Sequence, residues 1–84
     1  MHNLTNMLSM NETTKEIEKL LAVYGSLTRP DLIMRIPADA KTVVEALDQL
    51  SSEQKVTKAT DEQGVEVYQN SSNLATRFFY AAGG

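Results

Sequence analysis

One glycine and two prolines divide the first half of the chain into short segments. Gly25 is typical of the position just after a helix, where the backbone takes a positive φ. Pro30 is tolerated in the first turn of a helix, and Pro37 prevents a helix from continuing past Ile36. These residues therefore predict several short helices rather than one long helix.

The first predicted helix begins at Thr13. Thr13 and Glu16 have the spacing of a capping box, in which a hydroxyl and a carboxylate satisfy free amide groups of the first turn. The apolar residues that follow share one helical face, which we expect to be buried. This face is formed by Ile17, Leu20, Leu21 and Tyr24. Gly25 is expected to end the helix.

Two further helices are predicted before residue 53. Thr28 and Asp39 are the expected N-caps, because their side chains can accept hydrogen bonds from first-turn amides. The apolar positions of the second helix are Leu32, Ile33 and Ile36. The third helix is predicted over residues 40–52, and its buried face is formed by Val43, Val44, Leu47 and Leu50.

After the third helix, the pattern of residues changes from helical to strand-like. Residues 55–60 and 65–69 are rich in β-branched and aromatic side chains. The polar residues 61–64 between them end in Gly64, which can take the positive φ of a hairpin loop. This pattern predicts a β-hairpin, and Tyr68 in its second strand is expected to join Tyr24 in the core.

The two ends of the chain lie outside this pattern. Residues 1–12 are either a disordered leader or a short amphipathic helix, residues 13–70 are the expected domain, and residues 71–84 are an apolar segment, either helical or extended. Apolar side chains at both ends exceed what so small a domain can bury, so we expect a homodimer. The alternative is a monomer in which the C-terminal segment folds back onto the first helix of its own chain and the leader is disordered. The predicted dimer interface consists of Leu4, Met7, Leu8, Leu74, Phe78 and Phe79.

Composition excludes several classes of protein. The 84 residues carry a formal charge of −3 and form one small domain. The lack of cysteine excludes disulfides and thiolate metal sites and fits a reducing compartment. The chain shows neither an apolar run long enough to span a membrane nor a signal peptide, so a cytoplasmic location is expected.

Catalysis and cofactor binding are not expected. His2 is the single histidine, so neither a catalytic triad nor a histidine metal site can be assembled. The four glycines do not form a phosphate-binding loop. We therefore predict no catalytic residues, no metal and no cofactor, and we expect a binding protein rather than an enzyme.

The order of three short helices and a hairpin resembles the winged helix-turn-helix superfamily, over residues 13–70. The stretch IEKLLAVYGSL is similar to its apolar first helix and the link that follows. TVVEALDQL is similar to its recognition helix, KV to the start of its first wing strand, and VEVY to the close of the wing. The resemblance implies an α+β fold with a two-stranded wing.

The resemblance also implies double-stranded DNA as the partner and a dimeric transcription regulator as the role. In such domains the third helix usually lies in the major groove, while the preceding turn and the wing contact the backbone or an adjacent groove. The candidate contact residues lie around the second helix, on the outward face of the third and in the first wing strand. They are Arg29, Arg35, Lys41, Thr42, Glu45, Gln49, Lys55 and Lys58.

The charge of the third helix favours an alternative. Between residues 39 and 53, Lys41 is accompanied by four acidic residues, whereas a DNA-binding surface gains from positive charge. The acidic residues are Asp39, Glu45, Asp48 and Glu53. The alternative is a winged-helix module that binds a protein instead of DNA through its acidic third helix and aromatic tail.

Overall fold

The structure is a computed structural model that describes residues 7–71. It is an α+β fold in which three helices precede a two-stranded antiparallel hairpin, as the sequence predicts. The elements are α1 (Met10–Tyr24), α2 (Arg29–Arg35), α3 (Ala40–Ser52), β1 (Val56–Thr60) and β2 (Glu66–Asn70). Within residues 7–71, none of the helices is long and apolar enough to cross a membrane.

The start of α1 differs from the prediction. Ser9 caps the helix: its Oγ accepts a hydrogen bond from the Glu12 backbone N–H at 3.2 Å, and the Glu12 carboxylate accepts from the Ser9 N–H at 3.0 Å. The Thr13 hydroxyl instead donates to the Ser9 carbonyl at 2.7 Å and is fully buried. The predicted start at Thr13 is therefore wrong by three residues. The earlier start allows Leu8 and Met10 to pack against the core.

The other helix ends follow the predicted chemistry, with one exception. Gly25 has φ 87° and its N–H donates to the Leu21 carbonyl, while the Thr28 hydroxyl accepts from the Asp31 N–H at 3.2 Å. Asp39 occupies the N-cap position of α3, but within the described residues its side chain caps none of the first-turn amides. The expected role of the Asp39 carboxylate is therefore wrong, although the bounds of α3 are as predicted.

The core lies between the three helices and the inner face of the hairpin. It contains Ile17, Leu21, Leu27, Leu32, Ile36, Val43, Ala46, Leu47, Leu50, Val56 and Tyr68. Leu20, Ile33 and Val44 are only partly buried, and Ala46, which was not predicted, is fully buried. Tyr24 was expected in the core but is 52% exposed, because it is the last residue of α1 and its ring faces Arg35 of α2.

The hairpin is joined to the loop between α1 and α2. Leu27 and Tyr68 form an antiparallel bridge in which the Leu27 N–H donates to the Tyr68 carbonyl at 3.1 Å and the Tyr68 N–H donates to the Leu27 carbonyl at 2.8 Å. In β1, Lys58 lies opposite Tyr68. Gly64 closes the hairpin loop with φ 83°, as predicted. The bridge adds a third, single-residue strand to the hairpin.

A second contact joins the end of the hairpin to the middle of α1. The Asn70 amide donates to the Glu18 carbonyl at 3.1 Å, and the Ser71 N–H donates to the Lys55 carbonyl at 3.0 Å. The last described residue therefore lies beside both α1 and the start of β1. Together with the bridge at Leu27, these bonds fix the hairpin against the first helix.

Replacing Leu47 with alanine tests the predicted phase of α3. Leu47 is 1% exposed, so its truncation should lower the free energy of unfolding by about 2–5 kcal/mol, as measured by urea denaturation. Lys19→Ala is the control, because Lys19 is exposed on α1 and its truncation should change stability by less than about 0.5 kcal/mol. Similar losses for the two variants would contradict the burial of Leu47.

Replacing Ser9 with alanine tests the start of α1. The change removes the acceptor for the Glu12 amide and should lower the free energy of unfolding by about 1 kcal/mol. Asn11→Ala is the control within the same turn, and we expect it to lose none of this stability because Asn11 lies inside the helix. Wild-type stability in Ser9→Ala would mean that α1 begins elsewhere.

Candidate nucleic-acid interface

The outward side of α3 is the surface on which the sequence predicts partner contacts. The opposite side of the helix packs into the core through Val43, Ala46, Leu47 and Leu50. The predicted contact residues on the outward side are Lys41, Thr42, Glu45 and Gln49, of which Thr42 is partly buried and the others are exposed. Asp48 is exposed on the same helix. The surface of α3 is thus polar and carries both signs of charge.

Arg29, the first residue of α2, lies near both α3 and the hairpin. Its guanidinium donates to the Tyr68 hydroxyl at 3.2 Å. That hydrogen bond raises the pKa of Arg29, and the carboxylates of Glu66 and Asp48 add smaller effects in the same direction. The hydrogen bond places Arg29 beside β2, and α2, of which Arg29 is the first residue, also packs against α3. Within residues 7–71, the hydrogen-bond partner of its guanidinium is the Tyr68 hydroxyl and not a carboxylate.

Lys58 approaches the same tyrosine from β1. Its ammonium lies 6.0 Å from the centre of the Tyr68 ring and 3.8 Å from a carboxylate oxygen of Glu66. We call Arg29, Lys58, Glu66 and Tyr68 the Tyr68 cluster. The cluster brings two of the predicted DNA-contact residues together around one buried aromatic side chain.

Lys55 lies just beyond the C-terminal end of α3. Its ammonium is 3.7 Å from a carboxylate oxygen of Glu53, and the Gln49 amide donates to the other oxygen of that carboxylate at 3.4 Å. Exposed ion pairs of this kind contribute about 0–1 kcal/mol, because water and salt screen them. Lys55 and Lys58 can therefore leave Glu53 and Glu66 for another anion at a small cost in free energy.

Arg35 is held against α1. Its guanidinium donates to the Tyr24 hydroxyl at 3.1 Å and lies 4.5 Å from the centre of the Tyr24 ring. Both predicted arginines thus contact a tyrosine hydroxyl, but at different places: Arg29 beside the hairpin and Arg35 beside the end of α1.

The contact between Arg29 and Tyr68 was not predicted from the sequence. The two residues are 39 positions apart, and their meeting depends on the bridge between Leu27 and Tyr68, which brings β2 next to the start of α2. Strand periodicity indicated only that the Tyr68 ring would be buried. The local signal of such a contact is Leu27 itself. It is an apolar residue in the short loop between Gly25 and the N-cap Thr28, and an apolar residue there is expected to be buried.

The residues of the predicted dimer interface are only partly described. Met7 is 45% exposed. Leu8 packs against the core, and its N–H donates to the Pro37 carbonyl at 2.9 Å. Leu4, Leu74, Phe78 and Phe79 lie outside the described residues.

Comparisons with protein family models, with curated proteins and with solved structures find no match to this chain. Among residues 7–71, no group of three or more histidine or acidic side chains is arranged to hold a metal ion.

Replacing Tyr68 with phenylalanine tests the link between Arg29 and the hairpin. The variant keeps the buried ring but removes the hydroxyl that accepts from Arg29, so we expect a small loss of stability in urea denaturation. Tyr24→Phe is the matched control. We expect a smaller loss there, because Tyr24 is 52% exposed and water can replace its hydroxyl as the partner of Arg35. Equal unfolding midpoints in the two variants would contradict a structural role for the Tyr68 hydroxyl.

Proposed function

We propose that this chain is a winged-helix protein that binds double-stranded DNA through α3 and acts as a dimeric transcription regulator. The order of three helices and a hairpin supports this assignment, as does the bridge that fixes the hairpin beside α2. In this interpretation the hairpin is the wing and α3 is the helix that enters the major groove.

The observation that carries the proposal is the distribution of cations around α3. Lys41 lies in its first turn, Lys55 follows its C-terminal end, and Arg29 is the first residue of α2, which packs against α3. Lys58 joins Arg29 in the Tyr68 cluster. Cations at both ends and along one side of a helix are suited to contact the phosphates on either side of a groove.

Base contacts would come from the polar residues that these cations surround. The amide of Gln49 can form two hydrogen bonds with the edge of adenine, and the carboxylate of Glu45 can accept from the amino group of cytosine. Thr42, near the start of the helix, is positioned for either a phosphate or a base contact. The outward face of α3 therefore offers both hydrogen-bond donors and hydrogen-bond acceptors to the bases.

Acidic neighbours limit the strength of this interface. Glu53 lies beside Lys55 and Glu66 beside Lys58, and Asp48 is exposed on α3 itself. Four phosphate contacts would give a slope of log K against log salt of about −3.6, which is shallow for a specific DNA-binding protein. A homodimer would double the number of contacts and supply two symmetric half-sites.

The same acidic residues favour protein binding as a second candidate function. Between residues 39 and 53, Lys41 is accompanied by Asp39, Glu45, Asp48 and Glu53, so α3 and its two ends carry a net negative charge. Such a surface suits a protein partner with basic groups of its own. The two functions predict different changes in affinity for duplex DNA when a single charge is removed from this surface.

Removing cations tests the DNA interface. In salt-titrated binding to random duplex DNA, Lys41→Ala and Lys58→Ala should each weaken binding to all sequences and reduce the magnitude of the salt slope by about one. Lys19→Ala, on the exposed side of α1, is the matched control and should leave the affinity unchanged. Equal effects of all three substitutions would place the DNA interface elsewhere.

Removing an acidic group separates the two functions. Asp48→Asn should strengthen DNA binding by about two- to fivefold, the size of one exposed charge interaction. In the protein-binding alternative, the wild-type chain and Asp48→Asn both fail to bind duplex DNA even at low salt. That result would contradict the proposed DNA-binding function.

A further inference from the structure

An exposed apolar surface lies where α1 and α2 end. Val23 is 70% exposed, Tyr24 52% and Met34 75%, and the contact between Arg35 and Tyr24 holds the two helix ends together. We call Val23, Tyr24, Met34 and Arg35 the Tyr24 surface. Val23 precedes Tyr24 and Met34 precedes Arg35, so the contact between Tyr24 and Arg35 brings all four residues to the same ends of α1 and α2. Exposed apolar side chains that lie together commonly mark a contact site.

The composition of this surface indicates what it can bind. Methionine and valine offer apolar area, and a methionine sulfur makes favourable contacts with aromatic rings. The Arg35 guanidinium already lies over one ring, and planar cations of this kind stack on aromatic faces. The surface is therefore suited to a segment that carries several aromatic side chains.

The chain itself contains such a segment. Phe78, Phe79 and Tyr80 are consecutive, Leu74 precedes them, and all lie after the last described residue. The core residues among 7–71 come from the helices, the loop at Leu27 and the hairpin. These side chains therefore have apolar area to bury that the described core does not need.

Ser71 is the last described residue, and its position allows residues 74–80 to reach the Tyr24 surface. Ser71 follows Asn70, whose amide contacts the Glu18 carbonyl in the middle of α1. Six residues of helix from Glu18 to Tyr24 correspond to a rise of about 9 Å. The seven residues 72–78 can span up to about 24 Å, so Phe78 can reach the end of α1.

From these observations we infer that residues 74–80 bind the Tyr24 surface of the same chain. Their aromatic rings cover Val23 and Met34 and stack on Arg35. This contact uses residues that were also predicted to form a homodimer interface, so a tail bound in this way is withdrawn from contact with a second copy. The inference does not rest on DNA binding by α3, but it removes the tail from the proposed homodimer, which would then form through other residues.

Disulfide exchange in the full chain tests the inference, because the sequence contains no cysteine to interfere. Met34→Cys is combined in turn with Leu74→Cys, Phe78→Cys and Tyr80→Cys. Each double variant is equilibrated in a glutathione buffer at low micromolar protein. The fraction of intramolecular disulfide gives the effective concentration of the tail cysteine at the Tyr24 surface.

Glu62→Cys, combined with the same three tail cysteines, is the matched control. Glu62 is an exposed residue of the hairpin loop. Ser71 lies at the other end of the hairpin, beside the start of β1 and the end of β2. We compare each tail cysteine paired with Met34→Cys and the same tail cysteine paired with Glu62→Cys. For one or more tail positions, we expect the effective concentration to be at least tenfold higher in the pair with Met34→Cys. Adding Val23→Asp should reduce that value to the control level, because it places a charge in the apolar contact.

Three results would overturn the inference. The first is an effective concentration at Met34→Cys no higher than at Glu62→Cys for all three tail positions. The second is disulfide-linked dimers as the main product, which would make a second copy the occupant of the surface. The third is an unchanged effective concentration after Val23→Asp, which would show that the Tyr24 surface is not what holds the tail.

Discussion

The backbone pairing between Leu27 and Tyr68 determines how the parts of this domain are arranged. Two hydrogen bonds at this point tie the loop between α1 and α2 to the second strand of the hairpin. They place the Tyr68 ring in the core and its hydroxyl beside Arg29. The pairing adds to the hairpin's own ladder and to the packing of Val56 and Tyr68 in the core, and a two-stranded hairpin needs such support because it is marginally stable on its own in water.

Local chemistry predicted the elements well, and tertiary contacts explain where it failed. Gly25, Thr28 and Gly64 act as their residue types suggest, because helix ends and tight turns depend on a few neighbouring atoms. The predicted helix start at Thr13 was wrong because Ser9 and Glu12 form an equivalent capping box one turn earlier. Tyr24 has the spacing of a core residue, but periodicity along α1 does not show that the packed part of the helix ends before it.

The candidate site was predictable as a set of residue types but not as an arrangement. The sequence identifies Arg29 and Lys58 as available cations, yet their meeting around Tyr68 depends on strand register and on the bridge at Leu27. The acidic group beside Lys58 is equally non-local, because Glu66 faces it across the hairpin. Net charge therefore describes this surface less well than the pairing of individual groups.

The hydrogen bond from Leu8 to Pro37 determines where the chain enters the domain. The Leu8 N–H donates to a carbonyl in the turn between α2 and α3, only a few residues before Lys41. Ser71, at the other end of the described chain, lies beside Lys55 and the middle of α1. An affinity tag or fluorescent label joined ahead of residue 7 would therefore enter next to the first turn of α3, where it could obstruct access to that helix.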